Sequence, residues 1–248
     1  MNICVFGDLH GVIPEIPEAD FYLLTGDICG AENDKRLRKY FQSIISTLSD
    51  TKEFFASETE KRIIQFANER GIKIVKEICK KKKPVFIVSG NREIVFEAIR
   101  KNYHSELKSF YEQLKKVRKA RLIDNRVVKI GGRKILGIPY FRASTNLARV
   151  VGSIDNFTEV FSQIEKKTTT SLKKKADIVL SHIPPLNTLD KNIRKENVGD
   201  NALLNYIIQK KPELFLCGHI HEARGEHVFE NTKVINAGSH GHYRIITL

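Results

Sequence analysis

The chain has 248 residues, a net charge of +13 and an apolar fraction of 41%, enough to bury one large domain or two small ones in a soluble globular protein. No apolar stretch approaches the roughly 20 residues that cross a bilayer, and Met1 leads directly into an apolar run without a basic leader, so neither membrane insertion nor secretion is expected. The four cysteines, Cys4, Cys29, Cys79 and Cys217, form no C-x-x-C pair, which predicts reduced thiols used as small core residues in a cytoplasmic protein.

Charge is unevenly spread. From Met1 to Asp34 there is no Lys or Arg, while Asp8, Glu15, Glu18, Asp20, Asp27, Glu32 and Asp34 are acidic. The basic excess lies downstream, in Lys80–Lys83, Lys115–Arg121, Lys166–Lys167 and Lys173–Lys175. Such a division suits a cation site within an anion-attracting surface. Taken alone, each lysine run reads as a solvated helix end. The charge permits a nucleotide or nucleic-acid partner without requiring one.

In chain order, Ile3–Phe6 is a short apolar run ended by Gly7, with Asp8 and His10 at its tip, and Phe21–Leu24 is a second run ended by Thr25-Gly26-Asp27. Both lengths suit buried strands. Spacings of three and four from Leu37 to Leu48 predict a helix over Asn33–Leu48, and helical texture continues through Lys52–Arg70 and Ile72–Lys82. Val85–Val88 reads as a strand ending in Ser89-Gly90-Asn91. Phe96, Ile99, Tyr103, Leu107, Phe110, Leu114 and Val117 then mark one long amphipathic helix. Val127–Ile130 and Lys134–Ile138 around Gly131-Gly132 read as a two-residue hairpin. Asp155–Lys166 predicts a helix, Asp177–Leu180 a strand running into Ser181-His182, Ala202–Gln209 a helix, and Leu214–Cys217 a strand ending in Gly218-His219-Ile220-His221. Val228–Phe229, Lys233–Asn236 and Tyr243–Thr247 close the chain as short strands, with Asn231-Thr232 as a turn. Strands alternating with helices early and hairpins late imply a layered α/β sandwich with mixed sheets, its polar residues at the C-terminal ends of the strands.

Those strand tips carry Asp8, His10, Asp27, Asn91, His182, His219 and His221. Oxygen and imidazole donors without cysteine favour Mn, Fe, Zn or a similar divalent ion over a structural zinc site. Seven ligands exceed what one open catalytic ion takes and suit two ions, which about 3.5–4 Å apart clamp a phosphoryl group and activate water.

The ordered blocks Asp8-Leu9-His10, Gly26-Asp27, Gly90-Asn91-Arg92-Glu93, Ser181-His182 and Gly218-His219-Ile220-His221 resemble those of the calcineurin-like metallophosphoesterase superfamily and span nearly the whole chain. The resemblance implies a four-layer α-β-β-α sandwich holding two divalent ions (Mn first, then Fe, Zn, Ni or Co). Asp8, His10 and His221 would hold one and Asn91, His182 and His219 the other, with Asp27 bridging. It further implies hydrolysis of a phosphorylated small molecule or nucleotide, with Asn91 and Arg92 binding substrate.

Two departures stand out. The family's third block reads Gly-Asn-His, and its histidine assists the leaving group; here the position is Arg92. Arginine stays protonated, so it can bind and stabilise a phosphate but cannot shuttle a proton. Phosphodiesters or other esters with good leaving groups are therefore expected over monoesters, or another acid such as His240 or His242. The second departure is the long interval between Asp27 and Asn91. In a single domain over 1–248, the surplus at about 31–83 would form either a helical cap or extra outer helices. A non-catalytic metal-binding scaffold of the same fold and a nuclease remain as alternative functions.

Overall fold

The computed structural model describes residues 1–30, 55–142 and 157–248. Two mixed sheets face each other. The first holds β1 (Asn2–Phe6), β2 (Phe21–Leu24), β3 (Val85–Ile87), β4 (Ala120–Leu122) and β11 (Tyr243–Thr247), in the order β11-β1-β2-β3-β4. The second holds β5 (Val127–Ile130), β6 (Arg133–Ile138), β7 (Ile178–Ser181), β8 (Leu214–Cys217), β9 (Gly225–Phe229) and β10 (Thr232–Asn236), in the order β5-β6-β7-β8-β10-β9. Strands β1 to β4 run parallel and β11 pairs antiparallel with β1. In the other sheet β6, β7, β8 and β10 are parallel, and β5 and β9 are antiparallel edges.

The alternation of side chains along each strand builds the layers. Ile3, Val5, Phe21 and Leu23 of one sheet meet Ile135, Ile178, Leu180, Leu214 and Leu216 of the other in a core between the sheets. Their neighbours Cys4, Phe6, Tyr22 and Leu24 point outward into a second core with the helices. Helices α1 (Glu58–Cys79), α2 (Asn91–Tyr103) and α3 (Phe110–Leu114) contribute Ile64, Val75, Phe96 and Phe110, while α4 (Phe157–Ser171) and α5 (Asn201–Lys210) contribute Phe161, Leu203 and Ile207. The parallel strands are buried on both faces, which is why they read as unbroken apolar runs. The result is the expected four-layer α-β-β-α sandwich with two mixed sheets.

Several expectations are corrected. The single helix drawn from Phe96 to Val117 is two helices, because the chain leaves the helical region at His104 (φ −139°, ψ 50°) and restarts at Ser109, whose hydroxyl accepts from the Tyr111 amide. Arg100 stabilises the break: its guanidinium donates to the carbonyls of Ser105 and Leu107. Lys115–Arg121 is only partly a helix end, since Ala120–Leu122 pairs with β3 as an edge strand. Helix α4 continues past Lys166 to Ser171, where Thr169 and Thr170 turn their hydroxyls back to the carbonyls of Glu165 and Lys166. The last hairpin turns at Glu230-Asn231, because Thr232 already pairs with Phe229. The Gly131-Gly132 hairpin forms as expected, with Ile130 opposite Arg133.

The helix expected at Asn33–Leu48 and the first half of the 31–83 segment lie outside the described residues. Helix α1, the rest of that segment, packs Ile64, Ala67, Val75 and Ile78 into the outer core. Among the described residues no helix is long and apolar enough to cross a membrane. All four cysteines are free, and burial pushes the thiol of Cys4 up to about 12.

Candidate metal centre

Parallel strands from both sheets end at one edge of the sandwich, and the polar tips collect there. Asp8 follows β1, Asp27 follows β2, Asn91 opens α2 after β3, His182 follows β7, and His219 and His221 follow β8. Three of these residues, His10, Asp27 and His219, hold left-handed backbone (φ 47°, 46° and 66°). Non-glycine residues enter that region at a cost of about 1–3 kcal/mol each and persist where the surroundings over-determine them.

The first group is Asp8, His10 and His221. Asp8 Oδ2 and His10 Nε2 lie 3.1 Å from His221 Nε2, and the three ligand atoms fall within 4.8 Å of one another. The second group centres on His182. Its Nδ1 lies 2.8 Å from the carbonyl of Thr25. A carbonyl only accepts, so Nδ1 carries the proton and Nε2 is the coordinating face. Nε2 looks toward Asn91 Oδ1 at 3.0 Å and Asp27 Oδ1 at 3.9 Å. The His219 ring stacks at a tilt beside it, 4.8 Å between centroids. Asp8, His182 and His219 also meet within 4.8 Å, although His182 faces Asp8 through Nδ1. All seven candidate ligands thus come together.

The donor set fits divalent cations. Burial first, and then the charge of Arg92, hold His10 well below the usual imidazole range. Burial and His182 hold His219 down to about 3. Neutral imidazoles are the ligating form. Asp27 is pushed up to about 7, first by burial and then by Asp8, a repulsion that positive charge between them would relieve. Burial would raise Asp8 as well, but His182, His221 and His219 outweigh it and its carboxyl lies below the ordinary value.

Close backbone approach shapes the pocket. A Cβ on Gly90 would stand 2.2 Å from Asp27 Oδ1, and one on Gly218 would stand 2.2 Å from Asp8 Oδ1. With no side chain at Gly218, the His219 amide donates to both oxygens of Asp8, at 3.1 and 3.0 Å.

Arg92 stands at the second position of α2. Its amide donates to Asp27 Oδ1 at 2.8 Å, its Nε lies 3.9 Å from Asp27 Oδ2, and its side chain is 23% exposed. Of the two further histidines, His240 lies against the first group, with ring centroids 5.5 Å from His10 and 5.7 Å from His221, and its amide donates to the Asp8 carbonyl at 2.7 Å. His242 is exposed.

Three supports have no role assigned from the sequence, although Glu93 belongs to one of its blocks. Glu93 accepts from the amides of Asp27 (2.9 Å), Cys29 (2.7 Å) and Gly90 (2.9 Å). The reach back to Gly90 is the one part with a sequence signal, an acid three residues into a helix. Tyr140 packs edge-on to His182 and tilted to His219, with centroids at 5.7 and 5.3 Å. Arg70 donates to the Gly11 carbonyl and ties α1 to the loop that carries His10.

No curated protein matches the chain in sequence. One solved structure aligns at 15% identity and a TM-score of 0.54, over 99% of this chain and 94% of its own. TT1561 of Thermus thermophilus aligns at 12% identity and a TM-score of 0.47, over 97% and 90%. GAP50, the anchor in the inner membrane complex of Plasmodium, aligns at 13% and 0.45, over 96% and 71%. The calcineurin-like phosphoesterase family model matches residues 1–223. The chain belongs to the calcineurin-like phosphoesterase family.

Proposed function

We propose that this protein hydrolyses phosphoesters with two divalent cations, manganese first among them, and prefers phosphodiesters to phosphomonoesters. Asp8, His10 and His221 would hold one cation, Asn91, His182 and His219 the other, and Asp27 would bridge. Bound there, the cations would supply charge neutralisation and a water nucleophile at neutral pH.

The observation that carries the substrate preference is Arg92, anchored on Asp27 by its amide and partly exposed beside the ligand groups. A guanidinium there orients a non-bridging phosphoryl oxygen and stabilises charge as it develops. It does not release its protons at working pH and so cannot act as the general acid. General acid assistance is worth about 10²–10⁴ in rate, so esters with poor leaving groups should be slow. Of the two imidazoles that could substitute, His240 stands against the ligand cluster.

With Mn²⁺ present, bis-p-nitrophenyl phosphate should turn over faster than p-nitrophenyl phosphate, and Asp27→Asn should abolish both. Arg92→His should raise turnover of phenyl phosphate relative to p-nitrophenyl phosphate by about tenfold or more, toward the range of general acid catalysis. An unchanged leaving-group preference removes the argument from Arg92. Bound metal with no turnover in Mn, Ni, Co, Zn or Fe would favour a non-catalytic scaffold.

A further inference from the structure

Two lysine runs meet at one place. A cavity of about 820 Å³ has Ser89, two residues before Asn91, in its lining, and its volume is within the roughly 300–1,000 Å³ typical of small-ligand sites. Lys166 and Lys167 line it from α4, Lys174 from the turn beyond, and Arg126 from the segment after β4. Gln163, Lys167 and Thr170 recur at spacings of three and four, so one face of α4 points into the space, with Lys174 following in the turn. Among the described residues none of the four cations is ion-paired with a carboxylate.

The rest of the lining is of a different kind. Ile94, Ile164 and Pro139 give an apolar surface. The single acid among the described lining residues, Asp124, has both oxygens engaged by Ser89, from its amide at 2.9 Å and its hydroxyl at 2.6 Å. Its charge is held by Ser89 and reaches Arg126, and the three lysines keep the wall positive. Ser89, Asp124 and Pro139 follow β3, β4 and β6, so the cavity lies on the same edge of the sandwich as the metal centre. Between them stands a wall in which the Tyr140 amide donates to the Ser89 carbonyl at 2.8 Å and the Tyr140 ring rests on His182 and His219.

We propose that this cavity binds a phosphorylated small molecule of the nucleoside-polyphosphate class, separately from the metal centre. Its phosphates lie against Arg126, Lys166, Lys167 and Lys174, and its uncharged body lies on Ile94, Ile164 and Pro139. Concentrated positive charge over an apolar floor suits that two-part chemistry, and the wall at Tyr140 keeps the ligand away from the candidate metal ligands. The proposal does not rest on hydrolysis, and loss of catalysis with ADP binding intact would separate the two.

Isothermal titration of the full-length chain with ADP, in chelator, tests it. Wild type should bind, and binding should weaken as salt rises. Lys166→Glu with Lys167→Glu and Lys174→Glu, all at exposed positions, should weaken it about tenfold or more, while Arg92→Ala should leave it unchanged. No ADP binding by wild type overturns the proposal, as does loss in Arg92→Ala with retention in the triple variant. Binding of single-stranded RNA through these lysines without ADP binding also overturns it.

Discussion

Glu93 shows how much one side chain holds together. Its carboxylate takes the amides of Asp27, Cys29 and Gly90, and so fixes the loop of the bridging candidate to the loop that presents Asn91. Burial, then Asp27, push it up to about 7. Removing the acceptor strands three buried amides, each worth about 1–3 kcal/mol. Glu93→Ala should therefore lower the urea midpoint sharply and weaken Mn²⁺ binding, with Glu93→Gln in between; wild-type values for both would refute the role. The seven candidate ligands were legible because strand-end Asp, His and Asn are themselves the pattern. Glu93 was legible only as the acid that ends a block, since two of its partners lie 66 and 64 residues away.

Elements follow the same division. Strands whose faces are both buried announce themselves as apolar runs, and the core strands were read within about a residue. Strand β4 escaped because an edge strand tolerates Arg121, exposed on the sheet margin. The break between α2 and α3 escaped because it depends on Arg100 reaching carbonyls beyond its own helix. Helix α1 carries its own anomaly. Glu60 is 2% exposed and burial raises it from 4.5 to about 8. The folded state then holds a proton that the unfolded chain releases, so this group lowers stability as pH rises from about 4.5 to about 8. Every pH unit of that window, once the unfolded carboxyl has ionised, removes about 1.4 kcal/mol at most. Urea unfolding of Glu60→Gln should show a smaller loss of stability across that window than wild type; an identical slope would show that Glu60 does not titrate as described.

For the whole molecule, the candidate metal ligands add a link between two sheets that also meet through their shared apolar core and through hydrogen bonds such as Tyr140 to Ser89 and Asp8 to Gly238. Asp8 and Asp27 come from one sheet, and His182, His219 and His221 from the other. A cation bound across them stabilises the native state alone, by about 2.7 kcal/mol at a concentration one hundred times Kd. Adding Mn²⁺ should raise the thermal midpoint, chelator should reverse the rise, and Asp27→Asn should blunt it. A midpoint indifferent to Mn²⁺ would count against a native-specific site.

Gly90 and Gly218 carry no side chain that binds, donates charge or reacts. Yet the nearest place for a methyl at either is occupied by a carboxylate oxygen. In a map of every single substitution scored for survival of function, these two should be as intolerant as Asp27 and Asp8. Such a map would outline the centre partly through residues whose missing side chains leave the space it needs.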